Sequence, residues 1–214
     1  MMARPCAALL LGLLLAPALS HAARAASVED PDWPCVQRLV PSLSASAVWS
    51  GPMPQADDSW RQVPEVAALV AAITPSGVRE ANGLRAIQDF VAPLDAGARR
   101  QLLPLALSGT LAETNGARGQ VIERIRVFAR RQRGLAETVQ RLTEQLDATN
   151  TAAPAAGTDE AARRAELQQH IFFATKTFQD AERTVRYMCE VPVRMEARFG
   201  AYVRALEAAL PPPP

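Results

Sequence analysis

Two stretches, residues 118–149 and 159–210, repeat their apolar side chains at alternating steps of four and three. The first places Val121, Ile125, Phe128, Gln132, Leu135, Val139, Leu142 and Leu146 on this rule. The second places Leu167, Ile171, Ala174, Phe178, Ala181, Val185, Met188, Pro192, Met195, Phe199, Tyr202 and Leu206 on it. A repeat of 3.5 residues keeps one stripe on a partner only if two helices wind around each other. The segment between them, TAAPAAGT at 151–158, is short and helix-breaking, so the stretches read as two arms of one antiparallel hairpin. At about 1.5 Å per residue the hairpin is expected to be roughly 50–70 Å long. The expected fold class is all-α: an elongated antiparallel coiled-coil hairpin, a small helical layer and an irregular N-terminal arm rich in Trp and Pro.

The positions beside the seam refine this. With seam positions named a and d, Val121 is a d and Ile125 an a. Ile122, Ala129 and Ala136 then fall at e, too apolar for a solvated edge, so a third element should lie over them. Cys189 is also an e, and in the antiparallel pairing it comes opposite about residue 118, near Ile122. Pro192 occupies a seam position, where a proline forfeits a backbone hydrogen bond at about 3 kcal/mol. The phase continues beyond it through Met195, Phe199, Tyr202 and Leu206, which predicts a kink and not an end.

The beginning of the chain has the order of a signal peptide: Arg4, an apolar run over 6–19, then Ala23-Arg24-Ala25 with small residues where a peptidase cuts. Cleavage is expected before Ala26, with the bond after Ala22 as the other candidate, so 1–25 are assigned to the leader. The run is shorter than the roughly 18–20 residues of a membrane-spanning helix, and nothing later resembles one. The sequence carries 23 basic and 22 acidic residues, a net charge of +1; without Arg4 and Arg24 this becomes 21 against 22, or −1. Such balance gives no reason to expect nucleic acid or an anionic membrane as partner.

The expected mature chain keeps Cys35 and Cys189. Two cysteines in an oxidising compartment are most simply one disulfide, the alternatives being a redox pair or a soft-metal site. Closing so long a loop is worth about 4–5 kcal/mol as an upper figure. The arm, 26–58, is dense in proline, although residues 42–49 could form two helical turns capped by Ser42 or Ser44. Trp33, Trp49 and Trp60 all lie in or beside it. They either fasten the arm to its own protein or grip a partner.

The run DWPCVQR at 32–38, followed by Val40-Pro41 and Val48-Trp49-Ser50-Gly51-Pro52, resembles exported α-helical proteins of unknown function from proteobacteria. Ala129-Arg130-Arg131-Gln132-Arg133 and Cys189-Glu190-Val191-Pro192 share in the resemblance. It implies export and a helical fold, and it implies no activity.

The helical domain is expected over 59–210, with a disordered proline tail at 211–214. Short helices are expected at about 63–74, 78–91 and 95–113. Pro64 suits a first turn, Asn82-Gly83 weakens the second helix, Asp95 can cap the third, and Pro104 should kink or interrupt it. The seam phase runs backward through Leu111 and Leu107, favouring continuity into the hairpin. Gly116 and Gly119 favour a break, so continuity stays open.

Candidate sites are few. Arg124, Arg126, Arg130, Arg131 and Arg133 form either an anion- or protein-binding patch or a solvated face neutralised by Asp180 and Glu182 across the hairpin. His170 has no second histidine in the mature chain, so no metal is expected. Met188 and Met195 read as core filler. C-x-x-C-H is missing, which removes a c-type haem, and no nucleophile motif, zinc motif or phosphate loop occurs. No catalytic residue, cofactor or enzymatic activity is therefore expected. The sequence points to an exported, periplasmic or secreted, non-catalytic scaffold that binds an unidentified envelope protein, with a homo-oligomer left open. The alternative is a chaperone-like or small-ligand-binding module using the groove between arm and hairpin.

Overall fold

The computed structural model describes residues 30–46, 48–53, 57–151 and 158–212. The expected leader at 1–25, its cleavage site, residues 26–29 and the hairpin turn at 152–157 lie outside the described residues. Among the described residues four α-helices follow one another: α1 (Pro64–Ile73), α2 (Glu80–Val91), α3 (Ala96–Thr151) and α4 (Thr158–Ala208), after a 3-10 turn at Ser59–Gln62. No strand occurs among the described residues. Helices α3 and α4 lie against each other as the antiparallel hairpin, and α1 and α2 pack on its open end. The protein is thus a helical head continued by a two-helix stalk.

Local chemistry sets the helix starts. Pro64 stands in the first turn of α1, where its missing N–H is no loss. The Asp95 carboxylate accepts the Ala98 N–H at 2.8 Å and caps α3. From there α3 runs for 56 residues, so the third expected helix and the first hairpin arm are one rod of about 80 Å, longer than the seam alone suggested. Pro104 neither ends nor interrupts it. Leu103, Ala106 and Leu107 around the proline are fully buried, and this packing outweighs one lost backbone bond. Gly116 and Gly119 do not break it either, and the neighbouring Asn115 exchanges two hydrogen bonds with the backbone of Leu43 (2.7 and 3.2 Å). Helix α4 likewise runs unbroken through Pro192. The two turns of helix considered for 42–49 reduce to one turn, in which Val48 and Trp49 both donate to the Ala45 carbonyl. Of the tail expected to be disordered, the Pro212 carbonyl accepts a bond from Arg100 at 3.1 Å.

The core sits in the head. Val66, Leu69, Val70 and Ile73 of α1, Ile87 of α2, Leu103 and Leu107 of α3, and Phe199, Tyr202 and Leu206 of α4 form one cluster with Leu43, Trp49 and Trp60. Two glycines permit its closest approaches. A Cβ on Gly83 would stand 2.0 Å from the Tyr202 hydroxyl, and one on Gly109 would stand 2.7 Å from both the Trp60 ring and Val70. Gly83, a weak point in a helix read alone, is what lets α2 lie flat on α4. Arg198 then ties down the α1–α2 connection, donating to the carbonyls of Thr74, Pro75 and Val78 at 2.9–3.0 Å.

Candidate functional site

The stalk changes character along its length. Near the head, Arg118, Ile122, Ile125 and Ala129 of α3 and Val185, Cys189, Pro192 and Met195 of α4 are buried. Beyond Ala129 and before Val185 no described residue of either helix is buried. The change coincides with the N-terminal arm, which crosses the hairpin on its e side and whose described residues reach as far as Arg133. Ile122 and Ala129 have the cover that their apolar character demanded. Ala136, one heptad on, is exposed.

Three kinds of bond hold the arm. The first is covalent: Cys35 and Cys189 are joined, with Cα atoms 5.6 Å apart. The second is ionic. Arg126 meets Asp30 at 2.7 Å and Arg130 meets Asp32 at 2.7 Å, while Arg133 pairs with the other oxygen of Asp32 and donates to the Pro31 carbonyl. The Asp32 N–H and the Arg126 guanidinium hold the Asp30 carboxyl below its ordinary range. Arg130 and Arg133 do the same for Asp32. The third is a set of side chains that serve backbone carbonyls. Gln37 donates to the Cys189 carbonyl, close to the point where Pro192 lacks a helical N–H. Arg118 donates from Nε and Nη2 to the Val40 carbonyl (3.1 and 2.9 Å) and from Nη1 to the Pro192 carbonyl (2.8 Å). It is 3 % exposed and joins the arm, α3 and α4 at one point.

This geometry revises several expected sites. Arg126, Arg130 and Arg133 are engaged by the arm, not by Asp180 and Glu182, which pair along their own helix with Arg183 and Arg186. An i,i+3 or i,i+4 partner on the same helix is closer than one across the hairpin. Arg124 and Arg131 remain exposed, with no ion pair among the described residues. Trp49 and Trp60 are 5 % and 3 % exposed and belong to the core, so neither is free to grip a partner. Trp33 is half-buried, and its indole donates to the Gln37 carbonyl at 2.8 Å, closing the arm on itself. His170 is exposed near the stalk tip beside Gln145 and Thr149, and Met195 is buried in the seam.

Matches to known protein families, to curated proteins and to solved structures were sought for the whole chain. None was found. The site is therefore defined by its own geometry. Among the described residues no group of three or more His, Cys, Asp and Glu side chains is placed to hold a metal ion, and no helix is long and apolar enough to cross a membrane. The buried polar groups, Ser108, Thr110, Thr114 and Arg118, line the inner side of α3.

Two surface features remain, the groove expected between arm and hairpin and an apolar pair that was not anticipated. An open groove of about 700 Å³ lies between arm residues Pro34–Gln37 and the outer side of α4, with Val185, Arg186, Glu190, Val193 and Arg194 along its wall. Farther along α4, Phe172 and Phe173 project into solvent at 63 % and 55 % exposure, their rings edge to face at 5.5 Å. Tyr187 (64 %) and Val193 (50 %) continue the same side of the helix. These residues lie off the a/d seam, and their own spacing, Phe173 to Tyr187 and Phe172 to Val193, is a whole number of heptads. That spacing was the available signal.

Proposed function

We propose that this protein is a non-catalytic scaffold of the cell envelope, exported by its N-terminal leader, whose stalk presents a helical surface to another envelope protein. The observation that carries the reading is the outer part of the stalk. Residues 130–151 and 159–184 contribute no buried side chain, yet they extend the hairpin by about 30 Å beyond the last contact of the described arm. They also expose Phe172 and Phe173, costly side chains to leave in water unless they meet something. A disulfide suits an oxidising compartment. In cells, a photo-crosslinking amino acid at Phe173 is expected to give a discrete adduct with a second protein. Adducts of the chain with itself alone, or no adduct at any exposed stalk position, would remove this reading.

The groove beside the disulfide supports the second reading, a small-ligand module. Its walls are apolar at Pro34, Val36 and Val193. A hydrophobic dye that binds the oxidised protein and is lost in Val193→Glu would favour it over the scaffold.

A further inference from the structure

Both residues of the disulfide line the open groove. Cys35 is half-buried whereas Cys189 is 9 % exposed, so the groove offers an attacking group the sulfur of Cys35. A space of about 700 Å³ with apolar walls at Pro34, Val36 and Val193 suits a short loop of another protein. We propose that this disulfide is an exchange site for a protein dithiol, and that its reduction unlatches the arm from the stalk without unfolding the head.

The step is thiol–disulfide exchange. A thiolate of the dithiol attacks Cys35 Sγ; the Cys35–Cys189 bond breaks and its electron pair leaves on Cys189 Sγ, which takes up a proton. The second thiolate of the same reductant then attacks its own sulfur in the mixed disulfide and releases Cys35, which is protonated in turn. Two electrons and two protons have passed to this chain, and the reductant has become a disulfide. The charges along the groove, Glu182 and Glu190 against Arg186 and Arg194, balance, so an incoming thiolate meets no net repulsion from them. Tethering favours a dithiol over a monothiol. Only about eight residues separate Cys35 from Leu43, which belongs to the head core, so the freed Cys189 still meets Cys35 at an effective concentration on the order of millimolar. A mixed disulfide with a monothiol is reversed by Cys189, whereas a dithiol resolves it from the other side.

What the disulfide fastens is otherwise weakly held. No side chain from Asp30 to Ser42 is buried. Without the covalent bond the arm keeps the partly exposed ion pairs of Asp30 and Asp32, each weak by itself, and the hydrogen bonds from Gln37 and Arg118. It then opens and recloses about Leu43, whose backbone Asn115 holds from both sides. Each opening uncovers Ile122, Ala129 and Val185, a buried stripe that stands apart from the core cluster of the head. Leu43, Trp49 and Trp60 stay in that cluster throughout, which confines the change to the arm.

The test uses the oxidised mature chain and a thioredoxin-type protein dithiol whose resolving cysteine is replaced by serine, which stops the reaction at the mixed disulfide. One adduct is expected without denaturant, located on Cys35 by peptide mass mapping. Val193→Trp and Val36→Trp, both on exposed positions of the groove wall, should each slow its formation at least about tenfold by narrowing the approach, while the oxidised variants melt as the parent does. The intact dithiol protein should free both thiols and leave a head that still melts cooperatively. In Cys35→Ser, alkylation of Cys189 by iodoacetamide should be limited by opening of the arm, so adding Asp30→Asn/Asp32→Asn should speed it at least about threefold. No adduct on the folded chain, an adduct that forms as fast in both groove variants, a head that unfolds on reduction, or alkylation indifferent to the Asp30 and Asp32 changes would each overturn the inference. None of these readouts involves an envelope partner, so their failure leaves the proposed scaffold standing.

Discussion

Arg118 concentrates the energetics of the arm in one side chain. Burial pushes its guanidinium down from the ordinary arginine range, the charge of Glu196 opposing it, yet an arginine keeps its charge. Its three bonds to two carbonyls are what make a buried cation tolerable without a carboxylate. Arg118→Met should leave both carbonyls without these donors and destabilise the oxidised protein by about 2–5 kcal/mol. Arg118→Lys should recover part of that, because an ammonium supplies charge but not the fork. Chemical denaturation of the three proteins measures the difference. The residue was partly legible: one step back from Val121 the seam rule falls on Arg118, and a charge at an a position invites a question. Its acceptors were not legible, since a backbone carbonyl looks the same in every residue. The arginines on the outer face of α3 show the same limit. Their partners Asp30 and Asp32 sit in an irregular segment with no period, so no spacing rule could have connected them.

Among the elements, the arm and α2 make contrasting predictions. The Asp30 and Asp32 carboxyls are depressed in the folded protein, so their contribution is complete above the ordinary carboxylate range. It is lost as pH falls through the lowered folded values. With the disulfide reduced, the indole resonance of Trp33 should move toward its free-arm position below about pH 4. In the Asp30→Asn/Asp32→Asn protein that acid transition should disappear; its persistence would show that the ion pairs do not hold the arm. In the helices, Gly83→Ala should cost about 1–3 kcal/mol because the new methyl meets the Tyr202 hydroxyl. Gly116→Ala has open space around it and should add up to about 1 kcal/mol. Thermal denaturation distinguishes the two signs. A glycine in a helical pattern reads the same in both cases, and only the tertiary neighbour tells a needed gap from a weak turn.

As a whole, the molecule divides into a head that carries the stability and a stalk that carries length. Removing one heptad from each arm of the hairpin, 143–149 with 161–167, keeps the seam in phase. It should shorten the particle by about 10 Å in small-angle scattering while leaving the melting of the head unchanged. The pairing of the two stalk helices was legible because a 3.5-residue period is a property of the sequence itself, whereas the full length of α3 and the exposure of Ala136 were not. The head was not, because its helices are short and their order in space depends on which surfaces fit, as at Gly83 and Gly109. That head is built from the extremes of the chain: Leu43, Trp49 and Trp60 pack with Tyr202 and Leu206, more than 140 residues later. A nascent polypeptide therefore carries its early tryptophans as unpartnered apolar groups until the final turns of α4 have emerged. During synthesis, then, the middle of this protein can zip before either of its ends has anything to hold.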